Sequence, residues 1–206
     1  MRFAYRLSVF LSLAFLAGGI LFLAPVIDIE ATELFFAEGQ FPWRYEKLPV
    51  FFHNLVQPVS ILLGIMFVVA MLYQGWQKRS MLPALFLLLA LVIGPGIVTN
   101  TILKDNWGRA RPYQTVEFGG TKNFSRPLVI ENECNDNCSF VGGDAAFGYW
   151  FHSFAYVVPP RRRRAVFWSG IGVGLGYSIL RVGMGAHFLS DVFFAAVVVL
   201  TTSAAL

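Results

Sequence analysis

The chain has 206 residues and a net charge of +4; 56% of it is hydrophobic, 16% aromatic and only 14% charged, with the apolar residues gathered in long blocks. That composition excludes an ordinary soluble domain, and because no reading motif accompanies the basic runs it also excludes a nucleic-acid-binding module. Nothing is left over for a separate soluble unit, so residues 1–206 read as one domain.

In chain order, the blocks are Leu7–Ile27, Val56–Tyr73, Met81–Leu103, Val141–Val158, Ala165–Leu180 and Phe188–Leu206. Each approaches the roughly 20 residues that an α-helix needs to cross about 30 Å of hydrocarbon. The expected fold class is therefore all-α: a polytopic membrane protein with six transmembrane helices. The first block is longer than a signal-peptide core and no small-x-small cleavage site follows it, so it reads as a retained helix. Between the first two blocks, Asp28–Asn54 mixes acids with Phe35, Phe36, Phe41, Trp43 and Tyr45. This pattern suits an interfacial helix or an amphipathic loop packed on the bundle.

Cations sort the connections. Arg2 and Arg6, Lys78 and Arg79, and Arg161–Arg164 fall at alternate span ends, with no acidic residue beside them. The positive-inside rule then places these ends in the cytoplasm, and segments 28–55 and 104–140 outside. The outer loop from Asp105 to Phe140 is long and polar, a form usually kept for function. Within it, Cys134 and Cys138 in E-C-N-D-N-C-S read as a disulfide staple or as half of a zinc site. In the fifth block, Gly170/Gly174 and Gly172/Gly176 set small residues four apart, a helix-packing pattern. Pro159-Pro160 gives the preceding segment a sharp stop.

The chemistry lies at the outward span ends. His187 and Asp191 are four residues apart at the start of a helix, so they share a face. The carboxylate there is expected to accept a hydrogen bond from one ring nitrogen, leaving the other as base or nucleophile. Lys104, Arg111 and Arg181 end spans on the same side; fixed cations suit the charge on a transferring phosphoryl group, and arginine grips phosphate bidentately. Arg109 reads as an auxiliary contact or a solvated cation. His152, in mid-span, reads as packing or hydrogen bonding, and His53 has no partner visible along the chain.

K-x6-R-P at Lys104–Pro112 and R-x5-H-x3-D at Arg181–Asp191 resemble the first and third signatures of the type 2 phosphatidic acid phosphatase family, membrane lipid phosphatases related in site to vanadium haloperoxidases. The resemblance implies that His187 attacks phosphorus to form a phosphohistidine, oriented by Asp191. It also implies that Lys104, Arg111 and Arg181 hold the phosphate oxygens and that neither metal nor other cofactor is needed. The chain departs at the middle signature, usually P-S-G-H, where it has Val141-Gly142-Gly143-Asp144. Gly143 keeps a backbone N–H for phosphate, Gly142 lacks the serine hydroxyl, and Asp144 is expected to replace histidine as the acid, provided it is protonated when needed.

The function expected is hydrolysis of a lipid phosphate monoester or pyrophosphate, with the active site facing the periplasm from a bacterial inner membrane. The F-G-G…N-C-S-F stretch is similar to the lipid A phosphatase group, with undecaprenyl pyrophosphate and phosphatidylglycerol phosphate as competing substrates. A lipid phosphotransferase and a phospholipid-binding protein without turnover are the alternatives. The expected partners are the bilayer and an amphiphilic phosphorylated lipid, with no nucleic acid.

Overall fold

The computed structural model describes residues 2–206, with side chains from Leu13 onward. Met1 and the side chains of residues 2–12 lie outside what is described, and with them the expected topology cations Arg2 and Arg6 and the start of the first expected span. Seven principal helices follow in order: α1 (Arg2–Leu23), α2 (Val26–Glu33), α3 (Lys47–Trp76), α4 (Leu82–Leu91), α5 (Gly143–Trp150), α6 (Pro160–Gly183) and α7 (Leu189–Ala205). No β-sheet forms among the described residues, because a chain this apolar satisfies its backbone most simply within helices.

Three helices are long and apolar enough to cross a bilayer: Lys47–Trp76, Leu82–Asn106 and Pro160–Gly183. Among the described residues, a fourth crossing arises if Leu13–Leu23 and Val26–Glu33, bent by 84°, act as one. α7 is apolar but only 17 residues long. Six full-length crossings are therefore not found among the described residues. The expected span Val141–Val158 departs most: it is α5, a 3-10 turn at Phe151–Ser153 and a short helix at Phe154–Val157. Its apolarity reflects burial inside the bundle. Ala145, Ala146, Phe147, Tyr149 and Trp150 form the core with Leu87 and Leu91 of α4 and Val192, Ala195 and Val199 of α7. The Trp150 indole N–H also donates to the Leu87 carbonyl at 3.2 Å. α3 instead exposes Ile61, Leu62, Ile65, Met66, Val69 and Leu72, as a helix facing lipid should.

α4 continues as a π-helix over Val92–Leu103, which contains Gly94-Pro95-Gly96. Pro95 has no N–H to offer the ladder, and the Asn100 amide caps its carbonyl at 2.9 Å. The small-residue stripe on α6 is half used. A Cβ on Gly174 would lie 2.1 Å from the Tyr149 ring and one on Gly170 2.2 Å from the backbone nitrogen of His152, whereas Gly172 and Gly176 face open space. Glycine at 170 and 174 thus lets α6 lie directly against the central segment. His152 is buried there, its Nδ1 2.7 Å from the Tyr149 carbonyl, a packing role as expected.

Segment 28–54 folds onto the bundle rather than away from it. Phe36 and Phe41 pack with Phe118 of the outer loop, and Trp43 covers Gly183 at the end of α6. α3 and α5 run away from one end of the bundle while α4 with its π-helix and α6 run toward it, so the start of α3, the end of the π-helix, the start of α5, the end of α6 and the start of α7 meet at that end. Lys78, Arg79 and Arg161–Arg164 lie in or beside the connections at the other end.

Candidate active site

At the shared end, Lys104 closes the π-helix, Asp144 opens α5, Arg181 sits in the last turn of α6 and His187 lies in the short connection to α7. Arg111 approaches from the loop after Trp107. Lys104 Nζ stands beside Gly143, Arg181 Nε lies 3.2 Å from Asp144, Gly142 adjoins the His187 ring, and the charges of Lys104, Arg111 and Arg181 all act on that ring. Arg44, which sequence patterning did not single out, stacks 3.5 Å above the Tyr113 ring and adds its charge beside Arg111 and Arg181. Arg181 is almost fully buried, and its Nε has no aligned hydrogen-bond partner. A buried guanidinium with spare donors is suited to an anion.

Two glycines with left-handed backbones shape this pocket. Gly108 (φ +66°) would drive a Cβ to 1.7 Å from the Glu131 carbonyl oxygen, and Gly185 (φ +63°) would drive one to 2.4 Å from the Phe41 ring. Both sit inside the signature loops, where only glycine allows the turn and the close packing together.

His187 is buried, and its Nδ1 lies 2.7 Å from the Ser139 carbonyl, which makes Nδ1 the protonated nitrogen and leaves Nε2 unprotonated. The expected direct bond to Asp191 is not made, since that carboxylate stands 3.8 Å from Nδ1. Asp191 Oδ2 instead accepts from the Ser139 hydroxyl at 2.6 Å and from the Phe188 N–H at 2.8 Å. Asp191 therefore reaches the imidazole mainly through Ser139, a residue the motif spacing did not reveal. Burial, reinforced by Arg181, Arg111 and Lys104, pushes the His187 pKa down to about 4 against the pull of Asp191. The ring is then neutral, as a nucleophile must be, across the physiological range. The limb of kcat/KM that reports protonation of His187 is expected near pH 4, with activity lost below it; a limb at the ordinary 6.5 in a pH–rate profile would show that the ring is not held in this environment.

Arg109 is neither an auxiliary phosphate contact nor a solvated cation. It is fully buried, with Nη1 on Asp191 Oδ1 at 2.5 Å and on Ser190 Oγ at 2.8 Å, Nη2 on Asp28 Oδ2 at 2.9 Å, and Nε on the Ser125 carbonyl at 3.0 Å. Asp28 also accepts from the Ser190 backbone N–H at 2.7 Å. The guanidinium ties α2, the outer loop and α7 together and fixes the carboxylate behind His187.

Asp144 is mostly buried, and its Oδ2 lies 2.6 Å from His53 Nδ1 and 3.2 Å from Arg181 Nε. His53 thus has a partner, from α3 and 91 positions away. An oxygen flanked by two such groups is held as an anion. Next to it, a Cβ on Gly143 would meet Asn100 Oδ1 at 2.5 Å and Lys104 Nζ at 3.4 Å, so glycine lets the start of α5 approach Lys104. The N–H groups of this first turn point outward and suit an anion. At Gly142 a Cβ would lie 3.6 Å from the His187 ring and 3.2 Å from Val192. A serine hydroxyl at that position would stand over the imidazole.

Cys134 and Cys138 form a disulfide, which disposes of the half zinc site. The loop it closes presents Asn137, whose carbonyl accepts from Arg111 Nη2 at 2.7 Å and Nε at 3.2 Å and whose side-chain oxygen accepts from Nη2 at 2.9 Å. The staple therefore aims a phosphate-binding candidate. Replacing both cysteines with serine is expected to raise KM about tenfold, the size of one weakened charge-assisted contact, with a smaller effect on kcat. An unchanged KM would show that Arg111 is held without it.

Residues 82–206 match the PAP2 superfamily. The chain is 36% identical over 162 residues to a Lipid A 4'-phosphatase from Francisella tularensis subsp. novicida (strain U112), covering 78% of this chain and 70% of the relative. It is 32% identical over 207 residues to a Lipid A 4'-phosphatase from Rhizobium leguminosarum, covering 87% and 89% respectively. A protein of the same name from Rhizobium etli is 39% identical over 123 residues, 55% of this chain and 48% of its own. No solved structure matches.

Proposed function

The chain belongs to the PAP2 superfamily and is a membrane lipid phosphatase, and from that premise we propose that it removes the 4'-phosphate of lipid A through a phosphohistidine at His187. The observation that carries the reading is the gathering of Lys104, Arg111 and Arg181 about a neutral, buried imidazole whose other nitrogen is fixed by Ser139. His187 Nε2 forms the P–N bond as the P–O bond to the sugar breaks, and water then attacks phosphorus to release inorganic phosphate and free imidazole. The phosphorylated ring carries positive charge, which the Ser139 carbonyl and the nearby Asp191 carboxylate stabilise. Lys104, Arg111, Arg181 and the Gly143 N–H hold the three non-bridging oxygens.

The site faces the periplasm of the inner membrane in this proposal. It lies opposite the connections carrying Lys78, Arg79 and Arg161–Arg164, which the positive-inside rule keeps cytoplasmic. The substrate is then a lipid whose phosphate stands at the outer headgroup level.

The test is phosphate release by purified protein in detergent, with chelator present, from lipid A, undecaprenyl pyrophosphate and phosphatidylglycerol phosphate, each compared with His187→Ala. Release chiefly from lipid A, at the 4' position and dependent on His187, supports the proposal. Preference for another of these lipids would overturn the lipid A assignment, and transfer of the phosphate to a lipid or sugar hydroxyl would make the protein a transferase.

A further inference from the structure

A groove of about 740 Å³ runs between α3 and the π-helix and ends at the phosphate cradle. His53, Asn54, Gln57 and Ser60 of α3 line one wall, Asn100 and Thr101 the other, and Gly143 and Asp144 lie at its inner end. Lys104 Nζ is close to Gly143, which borders this groove, so a molecule whose phosphate is held by the cations has room in the groove for the group it leaves behind. When a sugar or alkyl oxygen departs from phosphorus it carries an electron pair and must take a proton, because an alkoxide is a poor leaving group. Arg111 and Arg181 cannot give one up. Asp144 Oδ2 is occupied by His53 and Arg181, which holds it as an anion.

His53 is a group with the right chemistry on the groove wall, whereas Lys104 lies at the cradle end beside Gly143, placed to hold the phosphate as a cation. Its side chain is 40% exposed, it lines the groove, and Nδ1 rests on Asp144, which leaves Nε2 to the groove. The carboxylate on Nδ1 fixes the orientation of the ring.

We propose that His53 is the proton donor to the leaving oxygen and that Asp144 is its positioning residue; this rests on the phosphohistidine reading above. In the first step His187 Nε2 forms the P–N bond, the P–O bond breaks with its pair on oxygen, and that oxygen takes the Nε2 proton of His53. In the second step neutral His53 takes a proton from water as the water oxygen bonds phosphorus. The P–N pair then returns to His187, inorganic phosphate leaves, and His53 is an imidazolium again. One residue serves both directions, as microscopic reversibility requires.

The experiment follows single turnovers of His53→Gln and His53→Asn with two substrates. One is a lipid alkyl phosphate. The other is p-nitrophenyl phosphate, whose leaving group needs no proton. With the alkyl phosphate the first turnover is expected to slow by about 100-fold or more. With p-nitrophenyl phosphate the burst of p-nitrophenol is expected to survive within about threefold, after which phosphoenzyme accumulates because water lacks its base. Asp144→Asn is expected to show the same selectivity with a smaller loss. Equal loss on both substrates, in both His53 variants, or no loss on the alkyl ester, overturns the assignment. Turnover by His187→Ala at the wild-type rate would instead overturn the phosphohistidine reading, whatever the His53 variants do.

Discussion

Replacing His187 with alanine is expected to leave a folded protein that releases phosphate more slowly by about 10⁴-fold or more, the order seen when a nucleophile is removed from a preorganised site. The fold should survive because the imidazole makes one hydrogen bond, to the Ser139 carbonyl, and lies in a wall already closed by Gly142 and Val192. The stability loss is then about 1–3 kcal/mol, the cost of one carbonyl left unpaired. The cations remain, so a phosphorylated lipid still binds. Phosphate release and melting temperature measured on the same detergent-solubilised preparation separate the two effects. A variant within about tenfold of wild type would remove His187 from the nucleophile's role.

The second large effect falls on stability. Arg109→Ala strips the partner from Asp28 and Asp191, both buried, and breaking one buried pair typically costs about 3–5 kcal/mol. Two carboxylates lose their partner here, so the variant is expected to melt far below wild type or fail to accumulate in the membrane. Arg111→Ala, only two residues on, should do the reverse. Its contacts are to Asn137 in a solvent-facing loop, so stability stays near wild type while KM rises and kcat falls. Thermal melting paired with kinetics on the two variants checks the contrast. A stable, inactive Arg109→Ala would make that residue a site cation after all.

These two arginines also show what could be read from the chain and what could not. Local spacing was enough to place Lys104, Arg111, Arg181 and His187 at one end of the bundle, because each ends or adjoins an apolar block and the direction of each block follows from the cations between them. Arg109 looked like its neighbour because both stand in the same basic run. Its burial depends on Asp28, 81 residues earlier in a segment whose acids and aromatics suggested the membrane interface. His53 was missed for the same reason, since its partner Asp144 lies in another helix. The helix carrying His53 begins at Lys47, well before the apolar block at Val56, because hydropathy marks the hydrocarbon-facing part of a helix and not its polar first turns. The block Val141–Val158 reads as one continuous span, whereas the segment breaks at Phe151–Ser153 and packs among other helices, because hydropathy does not distinguish a helix bathed in lipid from one buried among others.

The most direct measurement is rapid quenching of the protein with lipid A carrying a labelled 4'-phosphate, under alkaline conditions that preserve a phosphoramidate, followed by mapping of the labelled peptide. Label on His187 that builds up during turnover and is lost on mild acid treatment is the expected result. Label on another side chain, or complete turnover with no label ever on the protein, would contradict a histidine nucleophile in the cation pocket.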